Sequence, residues 1–219
     1  MISDFGTHIP KLKICGMRNT QNIKEILALN PDYLGFIFYK KSKRNVGDIL
    51  DENLLNNFPK TTQKVGVFVN ATVDFLLEKV EQFGLDIAQL HGEETPKFCK
   101  QVGAKVKVSK VFSVGQSFDF QQLEPYKPHC DYFLFDTKGK EKGGNGTVFN
   151  WEILKDYDNE IPFFLAGGIS LENVRDIAEL KDLNLHAIDV NSKFEIEPAL
   201  KDVEKLKQLI DRINRINRI

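Results

Sequence analysis

Cysteine is scarce in this 219-residue chain: Cys15, Cys99 and Cys130 are the only three, and no C-x-x-C pair occurs. An odd, widely spaced set fits neither a disulfide framework nor a zinc knuckle, and it points to a reducing compartment. An excess of one charge is lacking too, since 30 Lys and Arg face 31 Asp and Glu for a formal net charge of -1. No broad basic field argues for nucleic acid and no acidic tail for a solvating role. No apolar run approaches membrane-spanning length, and Met1 to Pro10 carries neither a basic n-region nor an apolar h-region. The expectation is a soluble, cytoplasmic protein with a small-molecule site and no nucleic-acid or membrane partner.

What the chain does have is alternation. Short apolar runs such as Tyr33-Leu34-Gly35-Phe36-Ile37-Phe38-Tyr39 read as parallel strands buried on both faces. Stretches with apolar residues at helical spacing separate them, such as Ile23, Ile26 and Leu27. Strands are expected at 11–15, 33–39, 64–70, 87–92, 106–114, 131–137, 162–168 and 186–192. Helices are expected at 20–30, 48–58, 72–83, from 96, at 118–126, 150–157, 170–180 and from 198 onward. Residues 138–147 hold too much glycine and charge to pack and read as a mobile loop. This repeat, with no domain linker, predicts a single-domain (β/α)8 TIM barrel over 11–219 preceded by an extension over 1–10. A doubly wound sheet would place a glycine fingerprint after the first strand, and Cys15-Gly16-Met17-Arg18-Asn19-Thr20 is not one.

In such a barrel the site lies at the C-terminal ends of the strands. Cys15 ends the first, Arg44 follows the second, His91 ends the fourth and Asp136 the sixth. Gly167-Gly168 end the seventh and Asp189 to Ser192 the eighth. Side chains alternate along a strand, so Lys13 and Cys15 share a face, and an ammonium there would favour the thiolate. Cys15 is equally readable as a small buried hydrophobe. Asp136 ends an aromatic run that helps a carboxyl keep a proton and act as a general acid; the bland reading is a loop cap. Arg44, the guanidinium in a lysine-rich loop, suits bidentate contact with a carboxylate. Gly167-Gly168 before an expected helix at Ser170 suit a phosphate, or merely a tight turn. His91 reads first as a hydrogen-bonded structural residue.

Lys13-Ile14-Cys15-Gly16, Gly35-Phe36-Ile37-Phe38-Tyr39 with Ser42-x-Arg44, Gln89-Leu90-His91-Gly92, Phe135-Asp136-Thr137, Gly143-Gly144-x-Gly146, Ala166-Gly167-Gly168-Ile169 and Asp189-Val190-Asn191-Ser192 occur in that order. Taken together they resemble the phosphoribosylanthranilate isomerase family of tryptophan biosynthesis, over nearly the whole chain. The resemblance implies a cofactor-free, metal-free aldose-ketose isomerase acting on a phosphosugar, as a monomer or homodimer. It implies that Asp136 protonates the ribose ring oxygen and that Cys15, as thiolate, takes the C2 proton. Arg44 would grip the anthranilate carboxylate, Asp189 a sugar hydroxyl, and His91 would lie among the substrate-binding residues. Gly167, Gly168, Asn191 and Ser192 would hold the phosphate, and the loop over Gly143 to Gly146 would close over the substrate. Where the family usually has Ser-Gly-Val-Glu, this chain has Ser192-Lys193-Phe194-Glu195, so a Lys193 ammonium stands in for a backbone contact. Rival readings are the Amadori isomerase of histidine biosynthesis, whose first strand should end in a carboxylate, a metal-dependent ribulose-phosphate epimerase, and a non-catalytic phospholigand-binding barrel.

Overall fold

The computed structural model describes residues 10–47, 49–137 and 151–216. The chain runs β1 (Lys11–Cys15), α1 (Thr20–Leu27), β2 (Tyr33–Ile37), α2 (Glu52–Asn56), β3 (Gln63–Phe68) and α3 (Val73–Phe83). It continues through β4 (Ile87–Leu90), α4 (Pro96–Gly103), β5 (Lys107–Val114), β6 (Tyr132–Thr137), β7 (Phe163–Ala166) and β8 (Leu185–Val190). These eight strands pair in parallel, in sequence order, and β1 closes on β8 into the expected barrel. A small hairpin, β9 (Glu195–Glu197) and β10 (Leu200–Lys201), then precedes α5 (Val203–Ile216).

Local chemistry starts the helices where the sequence indicated. The Asn19 side chain accepts from the Asn22 amide to cap α1, Thr72 caps α3 in the same way, and Thr95 with Pro96 opens α4. The later crossovers differ from expectation. The helices expected at 118–126, 150–157 and 170–180 are 3-10 segments, Phe120–Leu123 with Lys127–His129, Trp151–Asp156 and Val174–Leu180. That at 48–58 shrinks to Glu52–Asn56, and the last helix starts at Val203, because Glu195 to Lys201 forms the hairpin instead. All of the expected extension over 1–10 except Pro10, and the whole expected loop over 138–147, lie outside the described residues.

Two-residue periodicity sorts the strand side chains. Ile14, Leu34, Phe36, Phe133, Phe135 and Ile188 pack between sheet and helices, while Tyr33, Val65, Ile87, Val111, Leu134, Phe164 and Ala187 fill the barrel interior. Each Val, Leu, Ile or Phe among them contributes roughly 1.5–3 kcal/mol by leaving water, so the wall is firm and the interior is filled at its base. Two residues further along β4 and β8 the inward positions turn polar: Gln89 follows Ile87 and Asp189 follows Ala187. The site rests on that change.

Candidate active site

Lys13 projects from β1 into the interior, fully buried, and its Nζ donates to Asp189 Oδ2 at 2.7 Å and to Gln89 Oε1. Burial alone would pull the Lys13 ammonium down, but the Asp189 carboxylate and its hydrogen bond, with Cys15, hold it above its ordinary value. Burial lifts Asp189 above the usual carboxylate range against the pull of Lys13. The second oxygen of Asp189, Oδ1, is buried with no hydrogen-bond partner among the described residues, an acceptor that ordinarily demands a donor.

Cys15 lies one inward step beyond Lys13 and is only 5% exposed. The thiol is seated against bare backbone: a Cβ on Gly35 of β2 would come within 2.7 Å of Cys15 Sγ, so a strand glycine is required there. The expectation that Lys13 would favour the thiolate meets a stronger opponent. Burial pushes the Cys15 thiol up, and Lys13 and Lys201 pull it back only in part, with Asp189 adding to the rise. The charge of Lys13 is already engaged by Asp189, so its pull on the thiol is only partial.

Arg44 does make the expected bidentate contact, and its partner is Glu195. Arg44 Nε donates to Oε1 at 2.8 Å and to Oε2 at 3.0 Å, and Nη2 donates to Oε2 at 2.6 Å. Glu195 is held in turn by the fully buried Lys201, whose Nζ donates to Glu195 Oε1 and to Asn191 Oδ1, both at 2.7 Å. Asn22 on α1 fixes the Lys201 backbone from both sides, accepting from its amide at 2.7 Å and donating to its carbonyl at 3.0 Å. Glu195 thereby occupies the Nε–Nη2 edge of a planar guanidinium and leaves the Nη1–Nη2 edge for another carboxylate. Arg44 also packs on Gly16, the residue after Cys15, since a Cβ there would meet its Cδ at 2.7 Å.

His91 and Asp136 face one another across the mouth, with Nε2 3.8 Å from Oδ2 and side chains 40% and 26% exposed. On the other side of the ring, His91 Nδ1 lies 3.2 Å from Gln89 Nε2. Behind them Lys110 Nζ, buried, donates to Glu94 Oε2 at 3.1 Å and to the Gly92 carbonyl at 2.7 Å, while the Glu94 carboxylate accepts from the Asn70 and Gly92 amides. This network pins the turn after His91.

Gly167 and Gly168 follow β7 with φ of 93° and 68°, a left-handed pair that suits glycine. They lead into a turn rather than a helix, which corrects the expected start at Ser170: Asn173 Oδ1 accepts from the Ser170 amide, its Nδ2 donates to the Gly168 carbonyl, and the 3-10 segment begins at Val174. After β8, Asn191 is half-buried and Ser192 and Lys193 are exposed at the start of a short turn. Sequence reasoning left Gln89, Lys201 and Asn22 out of the site and gave Glu195 no role. Gln89 was within reach, being two residues before His91 and so on the same face of the strand. Among the described residues no group of three or more His, Cys, Asp or Glu is placed to hold a metal ion, and no helix is long and apolar enough to cross a membrane.

The chain is 43% identical over 204 residues to N-(5'-phosphoribosyl)anthranilate isomerase of Parabacteroides distasonis, covering 92% of each protein. The phosphoribosyl anthranilate isomerase of Thermotoga maritima superposes with a TM-score of 0.83 at 30% identity, covering 94% of this chain and 99% of that one. A second solved structure, of the isomerase in complex with reduced 1-(o-carboxyphenylamino)-1-deoxyribulose 5-phosphate, gives 0.81 at 28% identity and covers 94% and 99%. Residues 12–212 match the model of the N-(5'phosphoribosyl)anthranilate (PRA) isomerase family, and with barrel, order of motifs and relatives in agreement, this chain belongs to that family.

Proposed function

We propose that the protein catalyses, in the cytoplasm, the Amadori rearrangement of N-(5'-phosphoribosyl)anthranilate to 1-(2-carboxyphenylamino)-1-deoxyribulose 5-phosphate, with Asp136 as general acid and Cys15 as general base. Asp136 gives its proton to the ring oxygen as the C1–O bond breaks and the anilino nitrogen supplies the electrons for a protonated Schiff base. The Cys15 thiolate then removes the proton from C2, and that electron pair forms the C1=C2 bond and neutralises nitrogen. Protonation at C1 and loss of the O2 proton give the ketone. One group must hold a proton while the other must have lost one: Asp136 lies partly exposed beside His91, and at Cys15 the Lys13 and Lys201 ammonium groups favour the thiolate against the stronger effect of burial, so the base must be unmasked when substrate binds.

The free Nη1–Nη2 edge of Arg44 would take the anthranilate carboxylate, and Asp189 Oδ1 would accept from a sugar hydroxyl. The amides of Gly167, Gly168 and around Asn191 and Ser192, with the Lys193 ammonium, would hold the phosphate. The observation that carries this reading is the buried Asp189 Oδ1, unpartnered among the described residues, on β8, which pairs with the β1 that ends at Cys15, in the same barrel whose β6 bears Asp136. A fluorescence assay with freshly made N-(5'-phosphoribosyl)anthranilate tests it. Wild type is expected to turn over this substrate and not the histidine-pathway aminoribosyl substrate, and Cys15→Ser and Asp136→Asn each to lower kcat by about 10²–10⁴-fold with little change in KM. Near-normal turnover in either variant would remove that residue from its role. The protein is taken to act as a monomer or homodimer, which sedimentation equilibrium distinguishes.

A further inference from the structure

From the polar chain Lys13–Gln89–His91–Asp136 we infer that Gln89 is a positioning residue that fixes neutral His91 as its Nε2–H tautomer, so that a donor is aimed at Asp136. Each link forces the next. An ammonium has three donors and no acceptor, so the Gln89 atom facing Lys13 Nζ is its carbonyl oxygen. The Gln89 amide NH2 therefore faces the other way, to His91 Nδ1 at 3.2 Å. A ring nitrogen that receives a hydrogen bond carries none of its own in the neutral imidazole, so the proton lies on Nε2. Nε2 is the atom 3.8 Å from Asp136 Oδ2, a separation that small side-chain motions close on ligand binding, as catalytic hydrogen bonds commonly tighten in the complex.

The anchor of this chain is rigid. Lys13 is fully buried, paired with Asp189 at 2.7 Å, and Gln89 is buried on β4, so neither the ammonium nor the amide has room to turn. The consequence for catalysis concerns timing. A donor on Oδ2 reserves the other oxygen of Asp136 for the proton that goes to the sugar. The bond from Nε2–H strengthens when that proton leaves, because an ionised acceptor makes the stronger bond, and an interaction that grows along the reaction lowers the barrier. His91 thus acts through Asp136, and Gln89 acts through His91.

This inference rests on the assignment of Asp136 as the acid, and its test separates the two. The tautomer is read in the ligand-free enzyme from long-range ¹H–¹⁵N correlations of ¹⁵N-histidine-labelled protein at alkaline pH, with the His91 signals assigned by their loss in His91→Asn. Wild type is expected to show a protonated Nε2 and a bare Nδ1. Gln89→Glu keeps an acceptor toward Lys13 but turns a second acceptor toward Nδ1, so the proton is expected to move to Nδ1 and kcat to fall about 10–100-fold, the usual cost of losing an outer-shell partner, with KM within about twofold. Gln89→Met, which removes both contacts without adding charge, is expected to give mixed tautomers and a smaller fall. A wild-type spectrum with the proton on Nδ1, or a Gln89→Glu enzyme that inverts the tautomer yet keeps its kcat, would overturn the inference. A wild-type enzyme with the stated tautomer and no turnover of the phosphoribosyl substrate would instead overturn the proposed function.

Discussion

Replacing Glu195 by Gln removes one charge and almost no volume, and its effect follows from how many cations that carboxylate serves. Both oxygens are taken: Oε1 by Lys201, Arg44 Nε and the Ala199 amide, Oε2 by Arg44 Nε and Nη2. An amide offers one acceptor, and its NH2 must then face either Arg44 or Lys201 as a donor against a cation. Lys201 is wholly buried and Glu195 nearly so, so one uncompensated buried charge results, at about 3–5 kcal/mol. Urea unfolding is expected to show that loss. The pH dependence has a definite sign. Burial by itself would raise Glu195, but the hydrogen bonds from Arg44 and Lys201 win and hold it below its ordinary 4.5. Its contribution is therefore complete above about that pH and fades as pH falls through the lower folded value, so the variant should lack this part of the wild-type acid destabilisation. Arg44, released from its clamp, should bind the substrate carboxylate about tenfold more weakly, the value of roughly one charge-assisted hydrogen bond. KM should rise for phosphoribosylanthranilate and stay level for the phosphoribosylaniline analogue, which has no carboxylate. A stability loss under about 1 kcal/mol with both KM values unchanged would refute the reasoning.

Three further outcomes follow from the same geometry. Gly35→Ala places a methyl 2.7 Å from Cys15 Sγ, so it should cost roughly 1–3 kcal/mol by overpacking and lower kcat more than the stability loss explains, as read by activity beside a thermal melt. Because burial raises the Cys15 thiol above its ordinary 9.0, alkylation of Cys15 by iodoacetamide in the free enzyme should still be accelerating as pH rises past 9; a plateau near neutrality would mean a thiolate already formed. Asn22→Ala strands the Lys201 amide and carbonyl, both buried, and should cost about 2–4 kcal/mol while raising KM through the loosened hairpin, which calorimetry and initial rates would report together.

The strands were legible because their signal is local: apolar runs bounded by Pro, Gly and polar residues, repeated at a length that only a crossover fills. Cys15, His91, Asp136 and Asp189 were legible as candidates because the barrel rule collects strand ends, whatever their distance in sequence. The partners of those residues were not. Nothing near Arg44 marks Glu195 as its counter-ion, and Lys13 meets Asp189 and Gln89 only when β1, β4 and β8 share one interior. That omission reversed the sign of one inference, since a lysine beside a thiol activates it only when no nearer carboxylate has engaged the charge. The 3-10 crossovers after β5, β6 and β7 were hidden for a related reason: apolar spacing says which face is buried, and packing against the sheet decides how tightly the turn is wound.

Trapping the ring-opened sugar divides the chemistry between acid and base most directly. Each variant is mixed with substrate in single turnover, quenched with borodeuteride and scored, against an enzyme-free control, for the reduced open-chain amine labelled at C1, which separates trapped Schiff base from ketone product labelled at C2. Cys15→Ser, which keeps the acid, should accumulate trapped amine and form no product, whereas Asp136→Asn should form neither beyond the control. Trapped amine from Asp136→Asn, or product from Cys15→Ser at the wild-type rate, would contradict the account.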